Sequence, residues 1–475
     1  MRTHIIYFLY NGFNGKCSLR AAHAEIYTGE KQYGQQVRPP DIMYIKTRLT
    51  VMNFLQFALW GAYLTSMGIF LAGAGFGEKI GWFYATQGFV SIFMPAIIGI
   101  VADRWIPAQK LLGLCHFVAA VFMAGAAYFG SQANISFASL FTCYAISVAF
   151  YMPTIALSNS VAYTTLRQQN LDTVKVFPPI RVFGTVGFIA AMLVTNFTGF
   201  QNSYAQWYFS AVLGLLLAVY CFTLPHCPIC TEKAKSLAEA LGLKAFALFK
   251  EKKMAIFFIF SMLLGMSLQV TNGFATPFIN GFNELMGYTG SWGAKNATAL
   301  VSLSQVSETL CILLIPFFLK RFGIKKVMLI SMLAWVLRFG FLGLGNPTTA
   351  TGILLLIASM IVYGVAFDFF NISGSLYVDQ ETDASIRSSA QGVFMLMTNG
   401  FGAAIGSLAA QKVINVFVYA HVNPNLKIGD VYPADLSQII MHGWRTSWFI
   451  FAGFALVVAI LFAWLFKYEH KPQAN

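Results

Sequence analysis

Charged side chains are scarce in this chain of 475 residues, since Asp, Glu, Lys and Arg make up 10% of it against 57% apolar residues. A soluble domain usually has about a quarter of its residues charged, so a water-facing fold is excluded. Cysteine is also sparse and odd in number, at seven residues, which does not suit a disulfide framework. The sequence therefore predicts a protein whose main solvent is lipid.

Motifs for catalysis and metal binding are missing as well. The sequence has no H-E-x-x-H, no G-x-S-x-G, no Walker sequence and no appended signalling domain. One C-x-x-C, formed by Cys227 and Cys230, could be half a zinc site or a redox pair, but no second pair completes a tetrahedral site. We interpret it as an incidental loop, and we expect no enzyme activity, no cofactor and no metal.

What the sequence does contain is a series of continuous apolar stretches of about 20 residues, enough for an α-helix to cross a bilayer. They lack the alternation of a membrane β-barrel. We predict an all-α integral membrane protein with twelve transmembrane helices. The predicted helices cover residues 49–73, 80–102, 110–130, 136–165, 178–199, 204–225, 254–280, 296–319, 326–345, 350–376, 387–415 and 442–467.

Basic residues are concentrated in alternate loops. An even number of helices places both termini on one side, and the positive-inside rule puts the Lys- and Arg-rich loops in the cytoplasm. We therefore expect both termini in the cytoplasm. The formal net charge of +13 then reflects a basic cytoplasmic face, and it gives no support to nucleic-acid binding.

The longest interior loop divides the predicted helices into two sets of six. Residues 43–225 are predicted to form one six-helix bundle, and residues 254–475 a second bundle with a short tail. Between them, 226–253 is a cytoplasmic linker, in which 236–250 has the helical spacing of apolar residues typical of a membrane-surface helix. The polar segment 1–42 is expected to be disordered or to lie upstream of the true start of translation.

A loop pattern recurs at the same place in each half. Met94-Pro95 is followed by G-x-x-x-D-R at 99–104, and Ile315-Pro316 by K-R-x-G-x-K-K at 320–326. These segments resemble the cytoplasmic loop signature of the major facilitator superfamily, whose two six-helix halves rock about a central site.

A closer resemblance covers most of the chain, from about Ile45 to Lys467. The segments that resemble the nucleoside:proton symporter family of that superfamily are 54–68, 93–105, 177–189, 255–272, 304–310 and 360–375. The resemblance implies the major facilitator fold, a location in the bacterial inner membrane, and import of nucleosides, such as uridine or adenosine, by proton symport with alternating access. We expect the carrier to be a monomer in the lipid bilayer.

Four ionisable residues stand out inside the predicted helices, where burial in lipid is expensive and marks functional candidates. They are Arg181, Glu308, Arg338 and Asp368. For Arg338 a structural pairing is nearly as good an interpretation. His116 is more typical of a hydrogen-bonded residue between packed helices.

Polar and aromatic side chains share helix faces with these residues, at spacings of three, four or seven. Because unsatisfied polar groups are costly in hydrocarbon, they must face each other or a cavity. Spacing alone predicts a polar-solute site. The family resemblance implies that the cavity binds nucleosides through Arg181, Thr185, Phe188, Gln269, Asn272, Gln305, Glu308, Tyr363 and Phe367.

Proton coupling needs an acid whose charge can change close to the cavity. Asp368 is the first candidate, in agreement with the resemblance, and Glu308 is the second. The superfamily pattern further implies cytoplasmic gate latches at Asp103 with Arg104 and at Lys320 with Arg321. The second pair could equally be ordinary positive-inside charge.

Other polar residues in the helices suit packing between helices. Asn53, Gln56, Trp60 and Tyr63 form a stripe on the first helix that is compatible with packing or gating, and Asn159 and Asn399 with hydrogen bonds between helices. Two alternatives to the nucleoside carrier stay open: a sugar or oligosaccharide:proton symporter on the same fold, and a membrane solute sensor.

Overall fold

The computed structural model describes residues 39–229, 243–383, 386–422 and 431–468. Within these ranges the regular elements are helices. The first set is α1 (Pro39–Gly61), α2 (Ile80–Arg104), α3 (Ala108–Gly130), α4 (Phe137–Gln168), α5 (Thr173–Phe197) and α6 (Ala205–Cys221). A second set follows, beginning with α7 (Lys252–Gly281).

The helix Ala297–Leu344 contains 48 residues and is broken at Gly323, whose φ of 73° and ψ of 168° are not helical. A straight helix of that length would span about 70 Å, more than twice the hydrocarbon thickness of a bilayer. It therefore forms two arms, α8 (297–322) and α9 (324–344). The predicted helices end at 319 and begin again at 326. In the structure the break is at Gly323 alone, so the connection between the two arms is shorter than predicted.

Three further helices complete the second set. They are α10 (Ala350–Glu381), α11 and α12 (Ala434–Leu465). Of these, α11 is composite: Arg387–Met395 continues through the π-helical turn Leu396–Gly402 into Ala403–Phe417.

Nine helical stretches within the described ranges are long and apolar enough to cross a membrane. The count treats α8 and α9 as one stretch and leaves out α1 and the 17-residue α6. Counting α9 separately from α8, and adding α1 and α6, gives twelve helices, which is compatible with the twelve predicted spans. The predicted class, an all-α membrane protein, is confirmed.

The start of α1 differs from the prediction. Hydropathy placed it near residue 49, whereas the helix begins at Pro39. Its first turns carry Lys46 and Arg48, and the Arg48 guanidinium lies 5.1 Å from the centre of the Tyr44 ring. Charged turns that project beyond the bilayer remain helical without contributing to hydropathy. Residues 1–38 lie outside the described residues.

The predicted surface helix at 236–250 is described only in part. Residues 230–242 lie outside the described residues, and Leu243–Lys250 forms a 3₁₀ helix. In this 3₁₀ segment the Phe246 and Phe249 rings stack with centroids 5.9 Å apart.

Glycine allows α1 and α5 to touch backbone to backbone. A Cβ atom on Gly187 would lie 2.2 Å from the Phe54 carbonyl oxygen, and one on Gly61 would lie 2.4 Å from the Phe188 carbonyl oxygen. No real side chain tolerates such distances, so these positions require glycine. The close approach fixes how α5 presents its polar face beside α1.

The two helix sets are joined by hydrogen bonds at one end of the bundle, which we call the outer end because α1 joins α2 there. Gln411 of α11 donates from Nε2 to the Gly77 carbonyl oxygen at 2.9 Å and accepts from the Gly81 amide. Asn196 and Asn296 are bonded at 2.7 Å, and Gln201 donates to the Lys295 carbonyl at 2.8 Å.

The cross-set bonds of the described residues lie at the outer end, where small residues let α2 and α11 approach each other: a Cβ on Gly88 would lie 2.6 Å from the Ala404 amide nitrogen. The structure is therefore closed at the outer end.

Candidate functional site

Arg181 of α5 lies on an aromatic support. Its guanidinium carbon is 3.9 Å from the centre of the Phe57 ring on α1, a cation–π contact. Gly184 makes room for it, since a Cβ there would lie 2.8 Å from Arg181 Nη1 and 2.7 Å from the Phe57 ring. These contacts hold the guanidinium in place but do not neutralise its positive charge.

Phe188, two turns further along α5, packs against a second aromatic group. The Trp60 ring lies edge-on to it with centroids 6.0 Å apart, and Trp60 is 5.8 Å from Tyr151 of α4. Thr185 lies between Arg181 and Phe188 on the same face and is half-buried. The first helix set therefore contributes a wall of rings that carries one cation and one hydroxyl.

The facing wall comes from α10. The Tyr363 and Phe367 rings are nearly parallel, with an interplanar angle of 7° and centroids 5.9 Å apart. Gln305 of α8 interacts with the Tyr363 hydroxyl through its side chain. Such a pair of flat rings suits a flat aromatic solute.

Arg338 of α9 stabilises this wall from behind. It is 2% exposed, and its guanidinium carbon lies 4.4 Å from the centre of the Tyr363 ring. It donates from Nη1 to the Ser359 carbonyl at 2.8 Å and to the Ser304 hydroxyl at 3.3 Å. Arg338 is thus bound by α8 and α10, which favours the structural interpretation of this residue.

Glu308 links the second acid, Asp368, to Arg181. Glu308 interacts electrostatically with Arg181 of the first set and with Tyr363 and Asp368 of the second. Asp368 is 4% exposed, and within the described part of the chain its Oδ2 has no hydrogen-bond partner. One guanidinium and two carboxyl groups therefore form a cluster with a net charge of −1 when no proton is bound.

Gln269 and Asn272 lie on one face of α7, the helix next to this cluster. Gln269 is 8% exposed, and its Oε1 has no partner among the described residues, whereas Asn272 is half-buried. Leu268, directly before Gln269, lines a small cavity together with Phe367. The structure describes no contact that joins Thr185 or Asn272 to another predicted site residue, and their roles stay predictions.

The stripe predicted on α1 divides into two kinds of residue. Gln56 is fully buried and donates to the Thr154 hydroxyl at 2.8 Å, while its Oε1 lies 2.7 Å from His116 Nε2. This network joins α1, α3 and α4, in line with the packing role expected of His116. Phe57, next to Gln56, is the ring that sequence reasoning missed, and its place on the same stripe was the available signal.

The predicted cytoplasmic latches are only partly described. Lys320 and Arg321 are exposed, with the Arg321 guanidinium carbon 5.9 Å from the centre of the Phe322 ring. The side chains of Asp103 and Arg104 lie outside what the structure describes. Both latches stay predictions.

The C-x-x-C loop is described at its first cysteine only. Cys227 is 2% exposed, and its amide donates to Gln109 Oε1 at 2.9 Å. Burial raises the pKa of the Cys227 thiol to about 11. A thiol with such a pKa is a poor nucleophile at neutral pH, which argues against a redox role. Cys230 lies outside the described residues.

Two sets of apolar helices, closed at one end around facing polar walls, define a membrane transporter of the major facilitator fold. Comparison with known proteins refines this class. Residues 43–471 match the family model described as nucleoside H⁺ symporter. The chain belongs to the nucleoside H⁺ symporter family.

Two relatives from Escherichia coli (strain K12) cover nearly the whole chain. The xanthosine permease is 46% identical over 434 residues, which is 91% of this chain and 98% of the relative. The nucleoside permease NupG is 44% identical over 431 residues, 90% of this chain and 97% of the relative.

Solved structures support the same fold. A crystal structure of nucleoside transporter NupG matches with a TM-score of 0.79 and 43% identity, covering 90% of this chain and 100% of that one. A D-xylose–proton symporter matches with a TM-score of 0.63 at 14% identity, over 89% of this chain and 97% of that one, which shows the fold alone.

Proposed function

We propose that this chain imports nucleosides together with protons across the bacterial inner membrane, by alternating access between residues 43–225 and 254–475. The observation that carries the proposal is the electrostatic interaction of Glu308 with both Arg181 and Asp368, beside the parallel Tyr363 and Phe367 rings. Family membership supports it, because the two similar permeases are named for xanthosine and nucleosides. In this proposal 226–253 links the bundles, and both termini are cytoplasmic.

The cavity suits a neutral solute with a flat face and several hydroxyl groups. Its rings can stack on a nucleobase, while amides and hydroxyls supply paired donors and acceptors for the base edge and the ribose. The nucleoside-binding residues we propose are Arg181, Thr185, Phe188, Gln269, Asn272, Gln305, Glu308, Tyr363 and Phe367. Arg181 approaches from the first bundle and the acids from the second, so a bound nucleoside would join the two bundles.

Asp368 is the proposed coupling residue. An unpaired buried carboxyl oxygen beside a second acid is expensive unless a proton is bound, and one proton on Asp368 or Glu308 would make the cluster with Arg181 neutral. Loading of the site with substrate and proton would then leave no carboxylate of this cluster without a cation while the bundles rearrange. Release of the proton to the cytoplasm restores the net negative charge of the cluster. The cycle then runs in the direction of import.

The proton gradient is large enough for this task. A charge that crosses 100 mV releases about 2.3 kcal/mol, and each pH unit adds about 1.4 kcal/mol. A single proton could therefore concentrate a neutral nucleoside roughly several hundred-fold.

A thermal-shift panel on the purified protein tests the substrate class. Nucleosides should raise the unfolding temperature in a concentration-dependent way, while free ribose and D-xylose should not, because binding to the folded state alone adds stability. A shift produced by sugars and not by nucleosides would replace the proposal with a sugar carrier on the same fold.

A further inference from the structure

A small cavity opens beside the proposed nucleoside site, on the side away from the outer end. It lies between α7, α10 and α11, next to the Phe367 ring, and leaves about 20 Å³ of space for water. Among its lining residues are Leu268, Phe367 and Phe370, with the amides Asn371 and Asn399. A space of this size accepts a water molecule or a small substituent, not a ring.

Asn399 faces this space and not the lipid. It is exposed, although it lies near the middle of α11. The lipid-facing side of α11 is given by the exposed apolar residues Phe401, Ile405 and Val416, which share one face. Asn399 precedes Phe401 by two residues, so it points to the opposite face. An exposed amide on that face is therefore placed where water, and not lipid, solvates it.

The hydrogen-bonding groups of Asn399 are mostly unused. Its described bond runs from Nδ2 to the Met395 sulfur at 3.5 Å, and a thioether is a weak acceptor. The residue belongs to the π-helical turn Leu396–Gly402, and such turns are frequent at functional sites. The turn is held rigidly, because a Cβ on Gly265 of α7 would lie 2.2 Å from the Thr398 carbonyl oxygen.

Asn371 completes the pair from α10. It follows Phe367 by four residues and so lies on the same helix face. Its side chain is half-buried, and the described part of the chain gives it no hydrogen bond. Two amides with free donors and acceptors thus flank a space at the edge of a ring already proposed to stack on the base.

We infer that Asn371 and Asn399 form a subsite that recognises the exocyclic substituents of the nucleobase, and so determines which nucleosides the carrier prefers. The inference rests on the proposed function. An amide can donate and accept at once, so the pair can match an exocyclic amino or carbonyl group while the ring lies against Phe367. Recognition by hydrogen bonds at this edge discriminates more strongly than an apolar contact would.

Adenosine and purine riboside provide the test, because purine riboside lacks the exocyclic amino group and is otherwise the same molecule. Uptake of labelled uridine into proteoliposomes is measured with either compound as competitor, for the wild type, Asn399→Ala and Asn371→Ala. The variants should weaken competition by adenosine roughly two- to tenfold and leave competition by purine riboside unchanged. Gln132→Ala, which removes an exposed amide in the α3–α4 loop, should change neither.

The outcomes separate this inference from the proposed function. An equal loss for both competitors in both variants would mean a structural role and overturn the subsite. So would an unchanged ratio of the two inhibition constants in variants that unfold at the wild-type temperature. If the wild type takes up no labelled uridine, the proposed function is overturned, and the subsite with it.

Discussion

The side chain of Gln411 holds the outer end closed, and its removal should raise the population of a form in which that end is open. Gln411 is 4% exposed and joins α11 to the start of α2 by two bonds, from Nε2 to the Gly77 carbonyl and from the Gly81 amide to Oε1. The Gly81 amide is in the first turn of α2, where helix amides have no partner within the helix. Gln411→Ala leaves both groups without that partner.

The expected size of the effect follows from these two bonds. At about 1 kcal/mol each, they favour the closed outer end by about 2 kcal/mol, and their loss should raise the open population roughly thirtyfold. The other cross-set bonds at this end, such as Asn196 with Asn296, remain in the variant, so the bundle should stay folded.

Hydrogen–deuterium exchange measures this shift directly. Amides in residues 77–84 should exchange roughly thirtyfold faster in Gln411→Ala, because exchange of a protected amide follows the population of the open form. Gln109→Ala is the matched control: Gln109 is also buried and also accepts from a backbone amide, at Cys227, but both residues belong to the first helix set. Unchanged exchange in 77–84 of a folded Gln411→Ala protein would refute the assignment of the outer gate.

Four other variants test the site and its support. Asp368→Asn should abolish uphill uptake while nucleoside exchange down a gradient continues, measured in proteoliposomes; full accumulation driven by pH would remove Asp368 from the coupling role. Gln269→Ala and Asn272→Ala should each weaken nucleoside binding roughly three- to tenfold by calorimetry, and unchanged affinity in both would place the site elsewhere. Gly187→Ala should lower the free energy of unfolding by about 1–3 kcal/mol, whereas Gly453→Ala, with nothing within 4 Å of the new Cβ, should not.

Hydropathy and helix-face spacing predict most of the architecture, because the cost of placing polar groups in lipid acts on every residue of a span. The same cost identified Arg181, Glu308 and Asp368, which the structure brings into one electrostatic cluster. The ends of the helices are harder to predict from hydropathy. The first turns of α1 carry charged residues outside the bilayer and therefore give no apolar signal.

Contacts between distant parts of the chain could not be derived from local patterns. The support of Arg181 by Phe57 joins α5 to α1, and the bonds of Arg338 join α9 to α8 and α10. Asn399 shows the limit most clearly, because the sequence indicated a hydrogen bond between helices and the structure describes only a contact with Met395 on the same helix. Whether a buried amide binds a neighbouring helix or a solute depends on the rotation of its helix, which sequence spacing leaves open.

Accumulation of labelled uridine in proteoliposomes that contain only this protein is the most direct test of proton-coupled nucleoside import. With an imposed acidic exterior and a negative interior potential, internal uridine should rise well above the external concentration, and a protonophore should reduce it to equality. An internal uridine concentration that never exceeds the external one, or that the protonophore does not reduce, would contradict proton-coupled import.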